Sequence, residues 1–193
     1  FCEKPITLEL NHSKELINIS KNNNLEIISS PSIYLSNYSD KLKELIYNNS
    51  VGKIYKIESN IIDSYDNIKK YGKFINPLGA KWPLKDELDT GCNLEHTPYI
   101  LSLLTTLFGN IYKIINIYNK NKTHYECLLQ FKSGVKLKLI SSISSDKIDR
   151  STTFYGNKGE IILEDIWNFN SPIYLIKSNK KENISYKKEN FNQ

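Results

Sequence analysis

Between residues 111 and 176 the chain alternates short strand-like runs with turns, and this alternation limits the available folds more than any other feature of the sequence. The runs 111–118, 124–131, 135–143, 151–155, 160–164 and 173–176 are rich in Ile, Leu, Tyr and Phe. Lys132-Ser133-Gly134 and Asn157-Lys158-Gly159 between them are short, glycine-bearing hairpin connections. The pattern predicts an antiparallel meander of about five or six strands. Such a sheet has one face to cover, and the segment just ahead of it supplies the cover. Ile100, Leu103, Leu104, Leu107 and Phe108 recur at helical spacing and stop at Gly109-Asn110.

The first part of the chain has a different period. Residues 1–4 run extended into Pro5, whose ring disfavours helical geometry at Lys4, so Lys4 closes a strand. A helix over 8–21 presents Leu8, Leu16 and Ile19, and the polar run Asn22-Asn23-Asn24 stops it. Residues 25–29 form a second apolar strand, ended by Ser30-Pro31. Strand, helix and strand in this order make a βαβ unit, normally one piece of a parallel sheet. One unit cannot cover both faces of its own sheet, the chain starts at Phe1, and it holds no methionine, so a fragment or a processed piece is expected. The expected organisation is α/β. Residues 1–33 form the remnant of a doubly wound parallel-sheet domain, and 34–193 an α+β domain with a large antiparallel sheet. Within the second part, a helix over 40–47 and a strand over 54–57 precede a polar, turn-rich loop over 63–87, and residues 179–193 read as a loosely ordered, lysine-rich end.

At 193 residues the chain is long enough to bury roughly 70% of its unfolded surface. No apolar stretch approaches the roughly 20 residues that a bilayer-spanning helix needs. Cys2, Cys92 and Cys127 are odd in number and lack C-x-x-C spacing, which reads as reduced thiols of a cytoplasmic protein. The net charge of +5 is carried almost wholly by scattered lysines, with Arg150 the single arginine, so a nucleic-acid partner is not expected. Phosphate-binding glycine loops and the serine-hydrolase elbow are absent, and His12, His96 and His124 have no metal-ligand spacing.

Two motifs remain: Cys2-Glu3-Lys4-Pro5 at a strand end, and the stretch from Asp86-Glu87 through Leu88-Asp89-Thr90-Gly91-Cys92-Asn93-Leu94-Glu95-His96. In this order they resemble the glucose-fructose oxidoreductase, inositol dehydrogenase and rhizopine-catabolism (Gfo/Idh/MocA) family. In that family an E-K-P motif ends a strand of an NAD(P)-binding Rossmann domain, and a later D-x-G-x-H-type motif opens a helix over the active site. Gly156-Asn157-Lys158-Gly159-Glu160-Ile161 is similar to the family's turn between strands of its C-terminal sheet, and Trp82-Pro83-Leu84-Lys85 resembles one branch of it.

The resemblance implies hydride transfer between NAD or NADP and a hydroxyl or carbonyl carbon of a sugar-like small molecule. It implies Glu3, Lys4 and Pro5 at the cofactor, Lys4 and Asp89 in catalysis, and Asn93, Trp82 and Lys85 toward substrate. Asn93 stands where many members carry a titrating histidine or tyrosine, so His96 is the nearest replacement as acid/base. Asp89, Asn93, His96 and Ile100 would share a face of one continuous helix, although Pro98 fits best in a first turn and leaves open that Asp89 lies ahead of it. Blander readings stand beside these: Lys4 as a surface lysine before a turn, Asp89 as a helix cap, His96 as a satisfied histidine, Trp82 as packing. The resemblance also implies a homodimer or larger assembly through the sheet. A non-catalytic carbohydrate-binding or dimerising module of the same fold is the competing reading.

Overall fold

The computed structural model describes residues 2–29, 32–76, 79–143 and 147–188. The Ser30-Pro31 strand end lies outside these residues. Its main body is an eight-stranded sheet with helices on one face. The strands are β1 (Ile54–Asp63), β2 (Ile111–Lys120), β3 (His124–Phe131), β4 (Lys136–Ile143), β5 (Thr152–Gly156), β6 (Gly159–Leu163), β7 (Ile173–Lys177) and β8 (Lys180–Ile184). They lie in the order β2-β3-β4-β1-β5-β6-β7-β8.

The expected antiparallel meander holds from β2 to β4 and again from β5 to β8, but β1 enters between the two halves and pairs parallel with β4. The reason is topological. The chain leaves β1 through the helical segment that follows it, and β2 and β3 then form outside β4, which therefore runs alongside β1 in the same direction. A parallel pair requires a long crossover of this kind. β1 also runs to Asp63 instead of stopping near residue 57, because its polar centre is bonded across the sheet. Buried Ser59 shares a hydrogen bond of 2.7 Å with Thr152.

Among the described residues six α-helices accompany the sheet: α1 (Leu10–Asn22), α2 (Asn37–Tyr47), α3 (Tyr65–Tyr71), α4 (Leu84–Thr90), α5 (Cys92–Glu95) and α6 (Thr97–Phe108). α2 begins where Ser36 accepts a hydrogen bond from the Ser39 amide at 3.1 Å, the usual N-cap, and it buries Tyr38, Leu42 and Leu45. α6 carries its proline in the first turn, where a missing N–H costs nothing, and buries Ile100, Leu103, Leu104 and Phe108. These side chains meet Ile57, Ile61, Leu137, Leu139 and Phe154 of the sheet in one core. Each such burial contributes about 1.5–3 kcal/mol. The opposite sheet face mixes polar and apolar side chains: Lys56 pairs with Glu58 at 3.2 Å and lies over the Tyr155 ring, whose hydroxyl donates to Glu58, and Ile140 and Ile162 share that face.

Three expectations change in detail. The region 63–87 holds α3 and the start of α4, α3 being capped by Ser64. The lysine-rich end is ordered through β8, and the Tyr186 hydroxyl reaches the carbonyl oxygens of Phe169 and Ser171 at 3.0 and 2.6 Å. Near the start, the βαβ order reduces to α1 and one parallel bridge between Cys2 and Ser29, and α1 buries no residue. The hairpin at Gly156 forms as expected and admits nothing larger, since a Cβ there would stand 2.2 Å from the Val51 carbonyl oxygen.

Candidate functional site

Lys4 projects from the first segment onto the α5–α6 region. Its ammonium donates to the Glu95 carbonyl at 2.8 Å, pairs with the Glu95 carboxylate at 2.5 Å, and lies 4.9 Å from the centre of the Tyr99 ring. Both side chains of the pair are mostly buried, at 13% and 16% exposure, so solvent still touches the charges but screens them weakly. Glu95 and Tyr99 are one helical turn apart, and Lys4 sits between them. Burial holds the Tyr99 hydroxyl above its ordinary range, partly offset by the Lys4 charge.

Gly91 decides how this region is arranged. Its φ of +90° is a conformation that a side chain strains, and it ends α4 and starts α5. The Cys92 amide then donates to the Lys122 carbonyl at 2.9 Å, which ties the break to the β2–β3 hairpin. Asp89, Asn93 and His96 are therefore not on one helix face. Asp89 belongs to α4, is largely exposed, and stands 4.0 Å from Lys122, an ion pair worth little in water. Asn93 is half-buried, and its carbonyl accepts from the Thr97 hydroxyl.

His96 is placed behind the pair. It is 2% exposed, with Nδ1 at 3.1 Å from the Ser141 hydroxyl and its ring edge-on to Trp167 at 5.0 Å. The Ser141 hydroxyl also lies 3.1 Å from the Cys92 carbonyl, which accepts from it. Burial pushes the His96 pKa down from 6.5 to about 4, with Lys4 and Arg150 acting in the same direction and Asp63 opposing them. At neutral pH the ring is uncharged. The expected role of His96 as the proton exchanger at the substrate does not agree with this placement: the ring is enclosed and one nitrogen is already engaged.

Of the remaining expected residues, Glu3 bears on the Lys4 contacts, its charge reaching Tyr99. Trp82 is 44% exposed on the segment ahead of α4, its amide donating to the Phe74 carbonyl, and Lys85 is exposed in α4 itself. Glu3 is exposed and Pro5 half-buried. Behind His96, Arg150 donates to the fully buried Asp63 at 2.6 Å, reaches Asp165 at 3.5 Å and stacks 4.3 Å over Trp167. Glu95, Tyr99, Arg150 and Trp167 were not singled out by the sequence reading. The i, i+4 spacing of Glu95 and Tyr99 and the solitary arginine among many lysines were the available signals.

Among the described residues no cluster of three or more His, Cys, Asp or Glu side chains fits a metal ion, and the three cysteines are unpaired. No described helix is long and apolar enough to cross a membrane. The residues present also do not fit a whole dinucleotide. The first glycine of the chain is Gly52, and α1 starts at Leu10 behind Glu9, an acid where a pyrophosphate would need free amides and no negative charge.

A family model described as the oxidoreductase family, C-terminal alpha/beta domain, matches residues 43–190. The chain belongs to the Gfo/Idh/MocA oxidoreductase family. Solved structures share its fold. KijD10, a 3-ketoreductase from Actinomadura kijaniata in complex with TDP-benzene and NADP, is 12% identical with a TM-score of 0.73, over 94% of this chain and 54% of its own. An inositol dehydrogenase homolog from Azotobacter vinelandii, complexed with NADH and myo-inositol, is 13% identical with a TM-score of 0.74, over 95% and 48%. An oxidoreductase from Pseudomonas syringae is 13% identical with a TM-score of 0.69, again over 95% and 48%. No curated protein matches. This Gfo/Idh/MocA chain thus spans about half the length of the solved structures it matches, and at such identities the likeness is one of fold. The family match begins downstream of Lys4, so the Lys4–Glu95 pair rests on the geometry alone.

Proposed function

We propose that this chain is the substrate-side part of an NAD(P)-dependent oxidoreductase acting on a hydroxyl or carbonyl carbon of a sugar-like small molecule. The observation that carries the reading is the Lys4–Glu95 pair, which joins two segments 91 positions apart in a weakly screened setting. The hydride chemistry is a nicotinamide's own; this chain's residues handle the oxygen and its proton. In the reducing direction the Lys4 ammonium holds the carbonyl oxygen and gives it a proton as the hydride arrives, and a solvent proton returns to the Lys4 amine by way of the Glu95 carboxylate. His96 keeps α5 in place through Ser141. Asn93 offers an amide to a substrate hydroxyl, and the exposed Trp82, Lys85 and Asp89 flank the approach. Residues 1–33 pack with a dinucleotide-binding domain, Glu3 and Pro5 lie toward the cofactor, and residues 34–193 form the substrate and dimerisation domain of a cytoplasmic homodimer that pairs through the sheet.

The competing reading is a non-catalytic carbohydrate-binding or dimerisation module of the same fold. The deciding experiment is NAD(P)H-linked turnover on a panel of sugars and polyols by the protein joined to a complete dinucleotide-binding domain. Lys4→Ala is expected to lower kcat about 10²-fold or more. Full turnover by Lys4→Ala, or no turnover on any substrate with sugar binding retained, overturns the enzyme reading. The 193-residue chain alone is expected to show no micromolar NAD or NADP binding by calorimetry.

A further inference from the structure

Behind Lys4 a series of contacts runs through four separate parts of the fold. The Lys4 ammonium lies over Tyr99 of α6, and Tyr99 meets Trp167 with ring centres 6.0 Å apart. Trp167 belongs to the connection between β6 and β7, and its ring carries the Arg150 guanidinium at 4.3 Å. Arg150 in turn is anchored by a 2.6 Å bond to Asp63, the last residue of β1, and by Asp165 at 3.5 Å. His96 completes the stack, edge-on to the same tryptophan.

The composition of this stack is costly. Trp167 Nε1 is buried with no hydrogen-bond partner, and such a group costs roughly 1–3 kcal/mol. An apolar filling would avoid that cost. Asp63 is fully buried, so its partner has to be a charge that also fits flat against an aromatic ring. Arginine does both; lysine, a hydrated point charge on a flexible stem, does not. The chain uses its single arginine here.

We propose that Arg150 is a positioning residue for Lys4. Bonded to Asp63 and stacked on Trp167, it holds Trp167 against Tyr99 and so fixes the face of Tyr99 on which the ammonium rests, and the line along which Lys4 meets a ligand. Glu95 sets how near the ammonium comes, and Tyr99 sets from which side. The segment bearing Lys4 supplies little constraint of its own, because α1 buries nothing. The proposal rests on the reading of Lys4 as the group that meets substrate, and its test does not use turnover.

The test records lysine ammonium resonances of the ¹⁵N-labelled 193-residue chain, with Lys4 assigned by its loss in Lys4→Arg. In the parent chain the Lys4 signal is expected to be ring-shifted by Tyr99 and slow to exchange with water. In Arg150→Met and Trp167→Leu, each checked for folding by circular dichroism and the amide spectrum, the shift is lost and exchange rises at least tenfold. Arg150→Lys behaves like Arg150→Met, and Trp167→Phe, which keeps a ring, retains the parent signal. An unchanged Lys4 signal in folded Arg150→Met overturns the proposal. So does a Trp167→Phe chain that loses the signal as fully as Trp167→Leu, and this pair decides alone if the Arg150 variant does not fold. Should Lys4 respond to Arg150 while Lys4→Ala keeps full turnover, the functional reading fails and the coupling stands. The reverse result removes the positioning role and leaves the functional reading intact.

Discussion

A buried imidazole held neutral makes stability depend on pH in a window that can be stated beforehand. His96 titrates near 6.5 in an unfolded chain and about 4 in the fold. Between these values the unfolded state binds the proton and the folded state does not, so acid favours unfolding. The contribution is therefore complete above pH ~6.5, declines as the pH falls, and is gone below pH ~4. The displacement is worth about 3 kcal/mol in total, of which about 2 kcal/mol is already lost at pH 5. With a urea slope of about 2 kcal/mol per molar, the unfolding midpoint of the parent chain should fall by about 1 M between pH 7 and pH 5 through this residue alone. Carboxylates contribute to the same slope, so the measurement is a difference against His96→Asn, which offers an amide to Ser141 and has no proton to gain. Its absolute stability is not the readout; its pH slope is. Equal midpoint shifts in the two chains would refute the claim that His96 is neutral and enclosed, and would return it to the surface of the site as a candidate proton carrier.

The Lys4–Glu95 pair should show coupling of about 1–2 kcal/mol in a double-mutant cycle of Lys4→Met and Glu95→Gln, measured by urea unfolding. Additive losses would mean that the two charges do not meet in solution. At Gly156 a Cβ would press on the Val51 backbone, so Gly156→Ala should cost about 2 kcal/mol or more and lower Tm by roughly 5 °C. A Tm within 1–2 °C of the parent chain, by differential scanning fluorimetry, would show that the hairpin moves away freely.

The sequence makes the fold visible wherever a segment's own residues create the reason for its structure. α6 is legible from Ile100 to Phe108 because its apolar residues return every turn, and β3 is legible from His124 to Phe131 because Cys127, Leu129 and Phe131 recur at every second position. β8 escapes because Lys180, Lys181, Glu182 and Asn183 have no apolar face. They form a strand through backbone pairing with β7, and the lysines suit an outer edge, where charge discourages further strands from adding. The inner half of β1 escapes for the opposite reason. Ser59 and Asn60 read as loop, yet the first is bonded to Thr152 and the second to Asp149 across the sheet. The parallel register of β1 and β4 has no local signature at all, since it follows from where an intervening helical layer returns the chain.

The motif residues stand out in the sequence but their facing does not, and one glycine explains the difference. On an unbroken helix, Asp89, Asn93, His96 and Ile100 lie in line, which is the geometry the spacing suggests. Gly91 interrupts that line, and the Cys92–Lys122 hydrogen bond sets the phase of the turn that follows. Consecutive residues on a helix point about 100° apart, so a turn whose phase brings Glu95 to Lys4 must carry His96 away from it. The direction away from Lys4 leads beneath the surface, toward Ser141 and Trp167. The motif's carboxylate and histidine thus lie at different depths, with the carboxylate that pairs with Lys4 one residue ahead of the buried ring. Spacing fixes which residues share a turn; only the geometry at Gly91 fixes which of them faces outward.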